Sequence, residues 1–251
     1  MIKGDFMDYI NILGVHVSKL DMKQAVDKAA ELMETEGLSM IFTPNSEILL
    51  YASNNPEYTE VLNAADMIVA DGIGVVYGAR ILGEKLRERV AGYDLVVNLF
   101  DVMAKKGQSV YLLGAKPTVA ETAAEKLVEK YPGLKIAGTH DGYFKDEDDE
   151  KVIEAVNAAN PDFLMVCVGF PRQENWIYKY KDRLNAKLAI GAGGCIDVFA
   201  GNVQRAPEFF CKHGIEWLYR LMKQPSRFVR MLALPKFGLK VLFKGRKYQK
   251  K

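Results

Sequence analysis

Acidic side chains all but disappear from the end of this 251-residue chain. Positions 205–251 hold 13 Lys and Arg but only two acids, Glu208 and Glu216, against 21 bases and 30 acids in the first 204 residues. The overall formal charge of +2 therefore conceals +11 on the tail and −9 on the body. Such a split excludes a tail that neutralises itself and points to an anionic partner. Other absences narrow the field. Three scattered cysteines, Cys167, Cys195 and Cys211, are too few and too odd in number for a disulfide framework and fit small core residues in a reducing compartment. The three histidines have no spacing that suggests zinc. No uncharged apolar run reaches the roughly 20 residues of a spanning helix, and residues 1–9 carry Asp5 and Asp8 where an export signal would be apolar. Neither a complete dinucleotide fingerprint nor a phosphate-loop lysine is present, which argues against a nicotinamide enzyme.

What the tail does have is grease between its charges: Phe228, Val229, Met231, Leu232 and Leu234, then Phe237, Leu239, Val241, Leu242 and Phe243. Basic and aliphatic together suit a membrane surface; a nucleic-acid tail would be more polar. Helix signals alone follow position 206, with Pro225 and Pro235 expected to cut the tail into three pieces. We therefore divide the chain into a core, 1–206, and a basic helical C-terminal appendage, 207–251.

The core alternates strand and helix signals. Strands are expected near 9–13, 39–43, 67–70, 109–113, 134–139, 163–168 and 187–190. Helices are expected at 21–36, 45–54, 56–64, 93–105, 117–130, 148–159 and 172–184. The unbroken apolar run at 163–168 reads as a strand buried on both faces. Such alternation predicts an α/β fold: a mostly parallel sheet with helices on both faces. The acidic run 146–150 reads as a solvated helix start, not as a metal site, and no other carboxylate cluster suggests Mg²⁺.

Ligands of such sheets sit at the carboxyl ends of strands. Those ends carry Thr43-Pro44-Asn45, Asp71-Gly72-Ile73-Gly74, Gly114-Ala115, Gly169-Phe170-Pro171-Arg172-Gln173-Glu174, and Gly191-Ala192-Gly193-Gly194 followed by Asp197. Glycine turns let backbone amides approach phosphates, so Gly114, Gly169, Gly191 and Gly193 are candidates for holding a nucleotide-sugar, with Phe170, Gln173, Glu174 and Asp197 beside them. Asp71 is the candidate base, or alternatively a helix cap. Thr43 and Asn45 would orient hydroxyl or acyl groups, or cap a helix. Trp176 reads as core.

These motifs, with Arg89-Val-Ala-Gly92-Tyr-Asp94-Leu95, Gly142-Tyr143-Phe144, Arg205-Ala206-Pro207 and Glu216-Trp217-Leu-Tyr-Arg220, run in order along nearly the whole chain. Together they resemble the WecG/TagA/CpsF family, glycosyltransferase family 26. One departure is Cys195, where the family often has another small, aliphatic or aromatic residue.

The resemblance implies a Rossmann-like core and an inverting transferase that needs neither metal nor other cofactor. It would sit peripherally on the inner, cytoplasmic face of a bacterial plasma membrane. The donor would be a UDP-sugar of the N-acetylmannosamine type. The acceptor would be the C4 hydroxyl of GlcNAc on undecaprenyl diphosphate, for wall teichoic acid; the uronate or another UDP-sugar, for a different surface polysaccharide, is the alternative. By motif position it makes Asp71 the base and Thr43 and Asn45 pocket residues. Arg89, Gly92, Asp94 and Gln173 would line the site, and Arg220, Arg227 and Arg230 of the appendage would complete it. Partners would include the anionic membrane and, for some members, further copies of the chain, but no nucleic acid.

Overall fold

The computed structural model describes residues 8–249, apart from the side chain of Arg227. Asp5, Lys250 and Lys251, which entered the leader and charge arguments, lie outside the described residues. The described chain starts with an antiparallel hairpin, β1 (Tyr9–Ile12) and β2 (Val15–Ser18). Only β1 is legible as a strand. Leu13 and Gly14 both take positive φ to make the turn, and Asn11 Oδ1 accepts the Gly14 amide at 2.8 Å. Leu-Gly is not a usual signal for a two-residue hairpin turn.

Helix α1 (Met22–Leu32) begins where its cap was expected, with Asp21 and Gln24 in a reciprocal capping box. Then come β3 (Ser39–Phe42), α2 (Ser46–Ala52), α3 (Pro56–Asn63), β4 (Met67–Ile68), α4 (Ile73–Ile81), α5 (Gly92–Lys106), β5 (Ser109–Gly114) and α6 (Val119–Lys130). The core continues through β6 (Lys135–His140), α7 (Asp149–Ala159), β7 (Phe163–Cys167), α8 (Arg172–Tyr180), β8 (Leu188–Gly191) and α9 (Cys195–Phe199).

Strands β3 to β8 form one sheet in the order β4-β3-β8-β7-β5-β6, and every pairing is parallel. Alternate residues of each strand enter different cores. Met40, Phe42, Tyr111, Leu113, Leu164 and Val166 pack with apolar residues of α2, α3, α4, α7 and α8. Ile41, Val110, Leu112, Phe163, Met165 and Ile190 pack with those of α1, α5, α6 and α9. This two-sided burial is why the strands read as continuous apolar runs. From β3 the chain moves to one edge at β4; from β5 it moves to the other at β6; β7 and β8 later fill the middle. In sheets with such a reversal, ligands bind at the carboxyl ends of the central strands.

One expectation about the acidic run is corrected. Asp149 does not face solvent: it is buried, accepting from Trp176 Nε1 at 3.0 Å and Tyr180 Oη at 2.6 Å.

The tail folds as α10 (Glu208–Lys212), α11 (Glu216–Lys223), a tight turn (Pro225–Arg227), α12 (Phe228–Met231), α13 (Ala233–Lys244) and a last turn (Gly245–Tyr248). Pro225 does end a helix. Pro235 does not: it sits in the first turn of α13, where an N–H would have no intrahelical acceptor anyway. Helix α13 lies against α2 and α4. Phe237 and Val241, one turn apart, join the core that α2 and α4 share. A Cβ on Gly78 of α4 would stand 2.9 Å from the Phe237 ring, so glycine is what admits the aromatic there. Phe237, grouped by sequence with the lipid-facing residues, is thus an internal anchor at 2% exposure.

Candidate active site

Asp71 follows β4 at the carboxyl edge and precedes α4. Its own amide donates to Pro44 O at 3.2 Å, joining it to the end of β3. The Gly92 amide at the start of α5 lies near enough to favour its ionised form slightly. Burial pushes this carboxyl up to about 6; Arg89 opposes the rise, Glu216 adds to it, and Arg220 opposes it again. Asp71 thus stands among groups from the core and from the tail.

Those groups form a chain of charges. Arg89 Nη1 donates to Glu216 Oε2 at 3.0 Å, and its Nη2 lies 4.0 Å from Asp94. Arg220 Nη2 donates to Glu216 Oε1, one turn away on α11. Arg205 donates to Asp94 and lies over the Tyr93 ring. The Arg89 and Glu216 side chains are only 15% and 14% exposed. Burial alone would raise the Glu216 carboxyl, but Arg220 and Arg89 hold it below its ordinary value.

Thr43 and Asn45 flank Asp71 at the end of β3. Thr43 Oγ1 donates to Gly191 O at 3.3 Å, which joins β3 to β8. It leaves the hydroxyl's lone pairs for a ligand. A Cβ on Gly92 would come within 2.9 Å of Thr43 Oγ1, so the start of α5 closes directly over this residue. Asn45 caps α2: its Oδ1 accepts from the amides of Glu47 (2.9 Å) and Ile48 (3.1 Å). Only its amide hydrogens remain for a substrate.

Of the glycine turns, the one at 191–194 meets this cluster through Gly191 O, while the others lie at the ends of β5, β6 and β7. Gly114, Gly169 and Gly193 take positive φ. The Gly142 amide donates to Ala115 O at 2.8 Å, and Arg172 holds Gly142 O at 3.1 Å, so the ends of β5 and β6 and the start of α8 meet. Phe170 packs edge-on against Tyr51. Gln173 and Glu174 are enclosed, at 3% and 2% exposure. Gln173 Oε1 accepts the Gly193 amide at 3.1 Å and its Nε2 donates to Glu174 Oε1 at 2.8 Å. Both therefore brace the 191–194 turn from beneath. Asp197 lies in the first turn of α9, its main-chain oxygen accepting from Asn202 and Val203.

The tail arginines divide. Arg220 joins the Asp71 cluster. Arg230 pairs with Glu47 at the start of α2, Nε to Oε1 at 2.9 Å and Nη2 to Oε2 at 3.1 Å. The side chain of Arg227 lies outside the described residues. Cys167 and Cys195 are buried, their thiols pushed up by burial, that of Cys167 to about 12. Among the described residues no three His, Cys, Asp or Glu side chains are grouped to hold a metal ion.

Sequence reasoning gave Glu216 no role beyond its place in a motif. The signal was nonetheless present: it is one of two acids in a strongly basic tail, four residues before Arg220.

Comparison with known proteins finds a family and relatives. The family described as "Glycosyl transferase WecG/TagA/CpsF family" matches residues 10–251. Proteins named N-acetylglucosaminyldiphosphoundecaprenol N-acetyl-beta-D-mannosaminyltransferase are among the relatives. One from Bacillus spizizenii is 43% identical over 204 residues, covering 81% of this chain and 79% of its own. One from Bacillus subtilis is 41% identical with the same coverage. One from Staphylococcus aureus is 36% identical over 243 residues, covering 96% and 95%.

Proposed function

Because the chain belongs to the WecG/TagA/CpsF glycosyltransferase family, we propose that it transfers N-acetylmannosamine from its UDP derivative to the C4 hydroxyl of GlcNAc on undecaprenyl diphosphate. The relatives' names support the donor and acceptor. The observation that carries the chemistry is Asp71, a carboxylate at the sheet's carboxyl edge whose pKa of about 6 suits proton transfer near neutrality.

In the proposed reaction the acceptor O4 attacks the anomeric carbon from the face opposite UDP. The new C–O bond forms as the bond to the UDP oxygen breaks, and the hydroxyl proton passes to Asp71. Negative charge grows on the departing diphosphate. Arg220 and Arg230, with Arg227, would meet that charge, since guanidinium groups grip phosphate oxygens in pairs. The amides of the turns at Gly114 and at 191–194 would hold the nucleotide. Gly92, Asp94 and Arg89 would shape the sugar pocket around Thr43, and Gln173 and Glu174 would keep the 191–194 turn in place.

The acceptor's lipid puts the reaction at a membrane, and the basic, partly apolar tail is the part suited to that surface. We place the protein on the inner face of the plasma membrane. Among the described residues no helix is long and apolar enough to cross a membrane.

The test is UDP release from a panel of UDP-sugars, with and without GlcNAc-diphosphate-prenol. Acceptor-dependent release should be greatest with UDP-N-acetylmannosamine. Asp71→Asn should lower it by roughly 10²–10⁴-fold, the usual worth of a general base. Release with another donor alone would reject the substrate assignment, and near-normal turnover of Asp71→Asn would reject the base.

A further inference from the structure

The tail's carboxylate Glu216 has no step in that reaction, yet it sits at the joint between the core's arginine and the tail's. It lies on α11, accepts from Arg89 through one oxygen at 3.0 Å and from Arg220 through the other, and is mostly enclosed. We propose that Glu216 is a positioning residue for the transfer reaction: it clamps Arg89 of the core and Arg220 of the tail together beside Asp71, so that the base and its counter-charges exist as one unit only when the tail is docked. This rests on the reading of Asp71 as the base.

Two guanidinium groups beside one another repel, and each needs a fixed anion to stay in place. Arg89 has a second carboxylate, Asp94, at 4.0 Å. Among the described residues Arg220 pairs with no carboxylate besides Glu216; it is half exposed and sits on a helix of only eight residues. Loss of the Glu216 charge therefore frees Arg220 far more than Arg89. The clamp also acts on Asp71. The groups facing that carboxyl are Arg89 from the loop before α5, the Gly92 amide of α5, and Glu216 and Arg220 of α11. The Cys195 thiol of α9 is close enough to feel the Asp71 charge. Of the tail pair, the repulsion from Glu216 outweighs the attraction of Arg220. Removing Glu216's charge thus makes Asp71 easier to ionise, even if Arg220 swings away.

The test compares Glu216→Gln and Glu216→Asp with the full chain, measuring kcat, the KM for UDP-sugar and the pH dependence of kcat/KM. Glu216→Gln should lower kcat roughly ten- to hundredfold, as a misplaced reacting group does, without raising KM. Its acidic limb should move to lower pH. Glu216→Asp keeps the charge but shortens the reach, so kcat should fall while the limb stays. A Glu216→Gln enzyme with normal kcat, or with reduced kcat and an unmoved limb, would overturn the proposal. Asp71→Asn run alongside separates the two ideas, because retained turnover there removes the base itself rather than the clamp.

Discussion

Asp71 is in its present place at a cost to folding. A carboxyl whose folded pKa is raised binds its proton more tightly in the native state. That contribution to stability is complete below the unfolded value near 4 and is lost as pH rises through about 6. A rise of this size corresponds to up to about 3 kcal/mol, and partial exposure to solvent reduces it to about 1–2 kcal/mol. Asp71→Asn, which cannot ionise, should therefore melt at a higher temperature than the parent at pH 7–8, with the difference vanishing near pH 4. A difference that does not change with pH would show that the asparagine acts through packing instead. That Asp71 matters was legible, because Asp-Gly-Ile-Gly at a strand end combines a carboxylate with room for a substrate. Its surroundings were not. Glu216 lies 145 positions further along the sequence, and only folding of the tail brings it there. Asp149 was misread for the same reason: within the run 146–150 nothing distinguishes the one carboxylate that meets Trp176 and Tyr180.

The elements themselves were legible in proportion to how fully they are buried. Strands β3, β5, β7 and β8, enclosed on both faces, stand out as apolar runs, whereas the short helices α9, α10 and α12 are set by their neighbours and have no pattern of their own. The sheet order also could not be read locally, since β7 and β8 insert between strands made earlier in the chain. Helix α13 shows how sequence can mislead about direction. Its apolar residues cover more than one face; Phe237 and Val241 turn inward, and Leu239, Leu242 and Phe243 outward. The inward pair fixes the tail, assisted by Lys240, which donates to Ser53 O and Asn54 Oδ1 at the end of α2. Phe237→Ala should cost about 3–5 kcal/mol, as large core truncations do. It should also make the segment after α11 sensitive to protease and depress turnover by loosening α11 upstream. Unchanged melting and an unchanged digest would mean that α13 is not what holds the tail.

For the molecule as a whole, the charge split and the exposed apolar side chains fall together in the tail. Phe243 is 75% exposed, with Leu239 and Leu242 also out on α13, Phe228, Val229 and Leu232 on or next to α12, and Tyr77 and Ile81 on α4 alongside. Lys236, Lys244, Arg246 and Lys247 stand among or beyond them, in the segment 205–251 that carries only two acids. Exposed apolar side chains interspersed with bases suit an anionic leaflet. Each base near such a surface contributes about 1 kcal/mol, and burying Leu242 and Phe243 about 1.5–3 kcal/mol each. The double change Leu242→Ser with Phe243→Ser should therefore lower sedimentation with phosphatidylglycerol-rich vesicles by roughly tenfold or more while leaving the melting temperature unchanged. Binding of the parent should weaken as salt screens the bases, and should be small on neutral vesicles. Truncation after Gln224 should abolish it, but that variant also loses Phe237, so the double serine variant is the cleaner test. Equal sedimentation of parent and double variant on anionic vesicles would mean that this face meets something other than lipid.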